Sequence, residues 1–373
     1  MKKLFISLCS VALLAGCANN AGTAAATATP EATAEATAEA TATPEATATP
    51  EAAAATGGLR VGVGSSTSIT AKDAADADTD GSVQFNTTYA GLVLDADDVI
   101  KYVSLDVAQN TVKFAKDGTI TSDPEAATPT KKEKGEAYNM KGASPIGKEW
   151  DEQAAGFEAW AVGKKLSDVL SMPTEVNEEG HTVSTDADLL TTTTISIDAF
   201  IAAIKAAADN AVEAGDAVQF GTGSVTSLSS SAAEGADKDG QVQANTTYAV
   251  LAVDGDGKIV KMLTDVAQNT VKFTAEGAIS GDAAPAPTKK EKGEAYNMKG
   301  ASAIGKEWDE QNEGFEAWAE GKTVDEIVAS PTEKQDNGHI VSTDADLLTT
   351  TTISIDAHLN AVKAAGAALQ PLN

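Results

Sequence analysis

The chain is written twice, and that duplication limits its possible folds more than any other feature. "TTYAGLVLDADDVIKYVSLDVAQNTVKFAKDG" starts at Thr87 and "TTYAVLAVDGDGKIVKMLTDVAQNTVKFTAEG" starts at Thr246, an offset of 159 residues. "TKKEKGEAYNMKGASPIGKEWDEQ" at Thr130 returns almost unchanged at Thr288, an offset of 158, so one residue is lost near Pro129. "STDADLLTTTTISIDA" occurs at Ser184–Ala199 and again, letter for letter, at Ser342–Ala357. Each unit runs about 155 residues, a normal domain size, and the period is too long for a solenoid. The expectation is two homologous domains in tandem, 58–213 and 214–373.

Within each unit the elements can be read from pattern. "YAGLVLDADDVIKYVSLDV" sets two alternating apolar runs around an Asp-rich turn, which becomes "DGDG" in the second copy, and predicts a β-hairpin. "TVKFAKDGTI" predicts a further strand and turn. "GKEWDEQAAGFEAWAVGK" spaces Trp150, Phe157 and Trp160 as i, i+7 and i+10, near the helical period, with Gly163 as a stop. "SIDAFIAAIKAAADNAV" predicts an amphipathic helix with Phe200, Ile201 and Ile204 inward. The fold class is α+β, a small antiparallel sheet flanked by helices in each unit.

Residues 1–17, "MKKLFISLCSVALLAGC", join two lysines to a short apolar run, too short to span a bilayer. The ending Leu14-Ala15-Gly16-Cys17 resembles a bacterial lipobox, which implies cleavage before Cys17 and diacylation of Cys17 with palmitate-type chains. Cys9 would leave with the signal peptide, so no free thiol would remain for disulfides, thiol catalysis, iron–sulfur clusters or c-type haem. Residues 18–57 are nearly all Ala, Thr, Glu and Pro; such a segment buries no core and is expected to be a disordered tether. The formal charge of −28 argues against nucleic acid and anionic head groups as partners, so membrane attachment would come from lipid alone.

Several motifs have competing readings. "DADTDGSV" at Asp76 begins like a calcium loop, but the twelfth position is Thr87 where a bidentate Glu is needed, and an acidic loop is the expectation. The "NTT" strings at Asn86 and Asn245 fit a glycosylation sequon by coincidence, and Thr87 and Thr246 are expected to begin strands. His181 and His339 are equivalent loop histidines, whereas His358 stands where the first copy has Phe200; no metal site is expected. Trp150, Trp160, Trp308 and Trp318 read as core, or as a wall for a flat ring together with Tyr138, Tyr296, Met140 and Met298. Caps explain Thr194 or Ser196 singly. They do not explain four hydroxyls kept in both copies while "MPTEVNEEG" and "SPTEKQDNG" have drifted.

The threonine run resembles the D-x-x-[ST]-G-A-T-x-[ST] motif of FMN-binding domains in bacterial Rnf and Nqr electron-transfer complexes. That resemblance implies FMN joined by a phosphoester to the motif's last Thr by an Mg-dependent flavin transferase. On this reading Thr194 and Thr352 are the acceptors, and Asp188, Thr191 and Ser196, with Asp346, Thr349 and Ser354, fill the motif's other positions. Ala199, Phe200 and Ile204, and Ala357, His358 and Val362, fall on the following helix. The motif's Gly-Ala is Thr192-Thr193 and Thr350-Thr351 here, which departs from the family's tight backbone. The plan of lipobox, tether and paired domains is also similar to flavin-modified lipoproteins of Gram-positive extracellular electron transfer, of the pheromone-precursor type. It implies a carrier rather than an enzyme, holding two covalent FMN groups on the outer face of the cell membrane. Its partners would be a membrane quinol-linked donor and extracellular acceptors. The alternative is a non-redox ligand-binding or surface-antigen lipoprotein.

Overall fold

The computed structural model describes residues 58–372, apart from 75, 77, 124, 125, 127, 236 and 237. The signal peptide, Cys17 and the tether lie outside the described residues. No described helix is long and apolar enough to cross a membrane.

The fold is α+β, built on antiparallel sheets. In the first repeat, β1 (Arg60–Lys72), β2 (Gly81–Leu94) and β3 (Ile100–Phe114) form a meander, with Val212–Glu213 pairing at the outer edge of β1. Among the helices that follow, the two long ones are α1 (Trp150–Ala161) and α2 (Asp198–Asp209). The second repeat copies this with β4 (Gln219–Ser231), β5 (Gly240–Val253), β6 (Ile259–Phe273), α3 (Trp308–Ala319) and α4 (Asp356–Ala367).

The predicted hairpin is the β2–β3 pair. At its turn the Asp95 carboxylate accepts the N–H groups of Asp97 at 3.0 Å and Val99 at 2.9 Å. Asp98 takes a left-handed φ of 58°, and its counterpart is Gly257 at 78°. A short polar residue or a glycine is what that backbone admits. Three details differ from the sequence reading. "TVKF" is the continuation of β3 and not a separate strand. Thr87 and Thr246 lie in mid-strand, since β2 and β5 begin at Gly81 and Gly240. The strands β1 and β4, which the sequence reading passed over, complete each meander.

These strands receive the C-terminal helix of their repeat directly. A Cβ on Gly62 would stand 1.9 Å from the Ala207 carbonyl oxygen, and one on Gly64 would stand 2.3 Å from the Ala207 nitrogen. Gly221 and Gly223 meet Ala365 in the same way, at 2.2 and 2.3 Å. Only glycine lets the helix lie against the strand backbone, and this contact fixes the helix that follows the threonine run.

Each sheet is buried on both faces. One face of β2–β3, with Leu92 and Leu105, packs on Phe157 and Phe200 of its own helices. The other face, with Tyr89, Val93 and Tyr102, packs on Phe220, Tyr248 and Leu263 of the second repeat. The rings of Phe114 and Phe273 stack at 4.2 Å and those of Tyr89 and Tyr248 at 6.2 Å. The repeats therefore share a core and lie in one compact unit.

Candidate functional site

Helix α1 turns Trp150, Gln153, Ala154 and Phe157 toward the interior. Gln153 stands out because it is wholly buried on an apolar face. Its Nε2 donates to Ser144 Oγ at 3.1 Å and to the Lys148 carbonyl at 3.2 Å. With both amide hydrogens used there, Oε1 is left to accept. It accepts the Thr194 N–H at 2.8 Å and the Thr194 hydroxyl at 3.1 Å. Gln311 holds Thr352 the same way, at 2.9 and 3.0 Å. The sequence reading missed both glutamines. The signal was present: a Gln at i+3 from a tryptophan, inside an apolar helical stripe.

The four threonines do different work. Thr191 Oγ1 donates to the Asp188 carbonyl at 2.7 Å and Thr192 Oγ1 to that of Leu189 at 3.1 Å, closing the 3₁₀ turn Leu189–Thr191. Thr193 is buried and donates to the Gln153 carbonyl at 2.7 Å, locking the run onto α1. Thr349, Thr350 and Thr351 repeat these bonds. The last threonine of each run is thus the one whose hydroxyl rests on a side chain, half-exposed, with no backbone carbonyl to satisfy. Ser196 Oγ donates to Asp198 Oδ1 at 2.7 Å and Ser354 Oγ to Asp356 Oδ1 at 2.9 Å, at the starts of α2 and α4.

Asp188 and Asp346 are not brought to the threonine hydroxyls by any side-chain hydrogen bond; both face solvent. The neighbouring Asp186 makes the turn instead, its Oδ1 accepting the N–H groups of Asp188 and Leu189 at 3.0 and 2.9 Å.

A cavity of about 620 Å³ opens beside Thr352, lined by Tyr296, Met298, Trp308, Ser354 and His358 among others. That lies in the range of small-molecule sites. Trp308 is both core and wall, since it is nearly buried yet lines the cavity. Lys289 Nζ sits 5.1 Å from the ring centroids of both Tyr296 and Trp308, and Lys131 sits 4.9 and 5.2 Å from Tyr138 and Trp150. The Tyr–Asn–Met loop is clamped from below: the Glu149 carboxylate accepts the N–H groups of Met140 at 2.7 Å and Lys141 at 3.1 Å, with Asn139 left-handed at φ 61°. Glu307 does the same for Met298 and Lys299.

Beneath the site a charged cluster anchors the lysine-rich segment. Lys132 Nζ pairs with Glu158 at 2.6 Å, and Asp106 accepts the Lys132 N–H at 3.0 Å and the Tyr89 hydroxyl at 3.2 Å. Burial pushes the Glu158 carboxyl up against the opposing pull of Lys132. Burial likewise raises Asp106, against its hydrogen bonds. Asp265, Lys290 and Glu316 repeat the cluster. Among the described residues no group of three or more His, Cys, Asp or Glu is placed to hold a metal.

A chlorophenol reductase from Desulfitobacterium hafniense is 35% identical to this chain over 96 residues, covering 22% of this chain and 29% of that protein. The chain thus spans less than a third of that relative's length. No family model and no solved structure matches the chain.

Proposed function

We propose that the protein is a lipid-anchored electron carrier on the outer face of the membrane, with FMN joined through its phosphate to Thr194 and Thr352. It would take electrons from a quinol-linked membrane donor and pass them to extracellular acceptors. The observation that carries this reading is the division of labour in the threonine run. In each run three hydroxyls are spent on backbone carbonyls and the fourth is held by a buried amide, which for Thr352 lies at the wall of a cavity.

The residues fit the group. Trp308 and Tyr296 offer a flat apolar wall, Lys289 supplies a positive charge near the attachment point, and the cavity volume suits a mononucleotide. Bound FMN supplies reversible electron transfer. The chain's own part is to hold the hydroxyl and to shield one side of the ring. The Gln amide oxygen orients the Thr O–H but is too weak a base to remove its proton, so activation falls to the transferase and its metal. The description of the partial relative as a chlorophenol reductase is in keeping with a redox role. Each repeat is proposed to be one domain with one site, the two joined through their sheet faces; the lipobox and tether would keep them near the membrane.

The test is to make the mature protein with an active flavin transferase, denature it, and read flavin fluorescence on a gel. Thr194→Ala and Thr352→Ala should each halve the signal, and the double variant should abolish it. Full signal in the double variant would reject the residue assignment. A dark wild-type band that still binds a small ligand reversibly would favour the ligand-binding lipoprotein.

A further inference from the structure

Two segments meet at the cavity beside Thr352. The lysine-rich block contributes Lys289, Tyr296 and Met298, and a hairpin contributes Gln335, Asn337 and His339. The block is unchanged between the repeats, from Thr130 to Ser144 and from Thr288 to Ser302. The hairpin is not. In the first repeat Thr174–Val176 pairs with Thr182–Ser184, and in the second Thr332–Lys334 pairs with Ile340–Ser342. Both turns close alike: the Asn177 N–H donates to the His181 carbonyl at 2.9 Å, and the Gln335 N–H to that of His339 at 2.8 Å. On this common backbone, exposed Val176 and Glu179 become exposed Lys334 and Asn337. Residues 174–181 hold three carboxylates, Glu175, Glu178 and Glu179, whereas residues 332–339 hold two, Glu333 and Asp336, beside Lys334. The second hairpin is therefore two charges more positive.

The rest of the opening carries the same charge in both repeats. Of the Lys, Asp and Glu side chains lining the cavity, Lys289 and Asp356 have Lys131 and Asp198 as their counterparts. Lys289 and Lys292 Nζ lie 5.1 and 5.8 Å from the ring centroid of Tyr296. Neither these lysines nor Lys334 form an ion pair among the described residues. The carboxylates beside them are spent on local hydrogen bonds. Glu291 accepts the Thr288 N–H at 2.7 Å, Glu307 accepts those of Met298 and Lys299, and Asp356 accepts the Ser354 hydroxyl at 2.9 Å. Glu133, Glu149 and Asp198 do the same in the first repeat. The hairpin thus carries the charge difference between the two openings. The chain as a whole bears −28, which repels small anions, and the second opening relieves that repulsion locally.

Resting on the FMN reading above, we propose that the hairpin sorts electron-transfer partners by charge, and that the second site is the outlet to small polyvalent anions acting as one-electron acceptors. Lys289, Lys292 and Lys334 attract the anion, and the neutral Asn337 lets it past the hairpin. The first site turns the same anion away through Glu179, with Val176 in place of a lysine. The step balances: the two-electron reduced flavin gives one electron to each of two acceptor anions, returns to its oxidised form and releases two protons. Two charges acting on a trianion about 10 Å away, through water at physiological salt, change its local concentration roughly threefold. Charge complementarity of this kind sets encounter rate and partner choice.

The first test needs no flavin. His181 and His339 stand at equivalent places on the two hairpins, both exposed, and serve as reporters. Hexacyanochromate(III), an inert paramagnetic trianion, is added to the full mature chain at pH 8, and broadening of the two imidazole Cε1–H signals is read by NMR. His339 should broaden roughly threefold more than His181, and the trication hexaamminechromium(III) should reverse the order. The surface exchange Lys334→Val with Asn337→Glu should bring His339 down to the level of His181, and Val176→Lys with Glu179→Asn should raise His181. The second test uses the flavinylated chain, its loading read by intact mass. Thr194→Ala leaves the second site alone and Thr352→Ala the first. Hexacyanoferrate(III) should reoxidise the reduced second site roughly threefold faster, and Lys334→Val with Asn337→Glu should remove the advantage. Equal broadening of the two histidines, or equal reoxidation rates in the two loaded proteins, would overturn the inference and leave the FMN reading standing. An unmodified mass at both threonines would overturn the FMN reading and the proposed outlet with it.

Discussion

Replacing Gln311 by Leu isolates the residue that holds the proposed acceptor. The Gln311 side chain makes four hydrogen bonds: to Ser302 Oγ at 3.1 Å, the Lys306 carbonyl at 3.1 Å, and the Thr352 N–H and hydroxyl at 2.9 and 3.0 Å. Leucine has similar bulk, so little cavity forms. The loss is polar. The Thr352 N–H and the Lys306 carbonyl are stranded against an apolar side chain, at roughly 1–3 kcal/mol each. The Thr352 hydroxyl is half-exposed and turns to water at little cost. Allowing about 1 kcal/mol back for the added apolar burial leaves a loss of about 3 kcal/mol. Thr352→Ala removes one neutral hydrogen bond and leaves Oε1 with the backbone N–H, so it should cost only about 1 kcal/mol. Urea unfolding of the two variants beside wild type reads this as two midpoint shifts at constant slope. A Gln311→Leu loss no larger than that of Thr352→Ala would refute the view that the amide is the structural anchor of the run.

Three further outcomes are expected. His358 is held down to about 4 by burial, from 6.5 in the unfolded chain. The unfolded state therefore takes the proton first, and stability that is full above pH 6.5 falls as pH drops toward 4, by about 3 kcal/mol at 1.36 kcal/mol per unit. The buried carboxyls Asp106, Glu158, Asp265 and Glu316 are raised and act in the opposite sense, so the measurement is the stability of wild type minus that of His358→Phe, a difference that should fall as pH drops toward 4. Gly223→Ala drives a methyl to 2.3 Å from the Ala365 nitrogen and should cost at least the roughly 1–3 kcal/mol typical of overpacking, read as a lowered thermal midpoint. Phe273→Ala removes half of the stacked pair across the shared core and should cost about 3–5 kcal/mol; calorimetry should show both repeats unfolding in one transition, since each lends the other a buried face.

Much of this architecture is legible in sequence because its local signals agree. The β2–β3 hairpin shows alternation and an acidic turn, and α1 and α2 show helical spacing that ends on Gly163 and Asn210. The strand β1 escaped because "GVGSSTSIT" has the composition of a loop. Its glycines are there for the closely packed helix, a reason visible only in three dimensions. The shared core escaped for a related reason. "TTYAGLVL" is apolar on both faces, which says that both are covered but not that the second cover is the other repeat. At the site, the resemblance of "DLLTTTT" to the FMN-attachment motif implies its last threonine, yet it cannot show that Asp186 rather than Asp188 makes the turn. Gln153 and Gln311 were hidden by their polarity, since a glutamine between tryptophan and phenylalanine reads as a surface residue. His358 shows in sequence only as the residue standing where the first copy has Phe200, which does not say that it is buried.

The central claim is that the last threonine of each run carries a flavin. Intact mass of the denatured mature protein, made with an active flavin transferase, tests it most directly. Two added FMN-phosphoryl masses, one lost with each of Thr194→Ala and Thr352→Ala, is the expected result. An unmodified mass from a host whose transferase labels a known substrate would contradict the claim and leave the threonine runs as helix-seating structure alone.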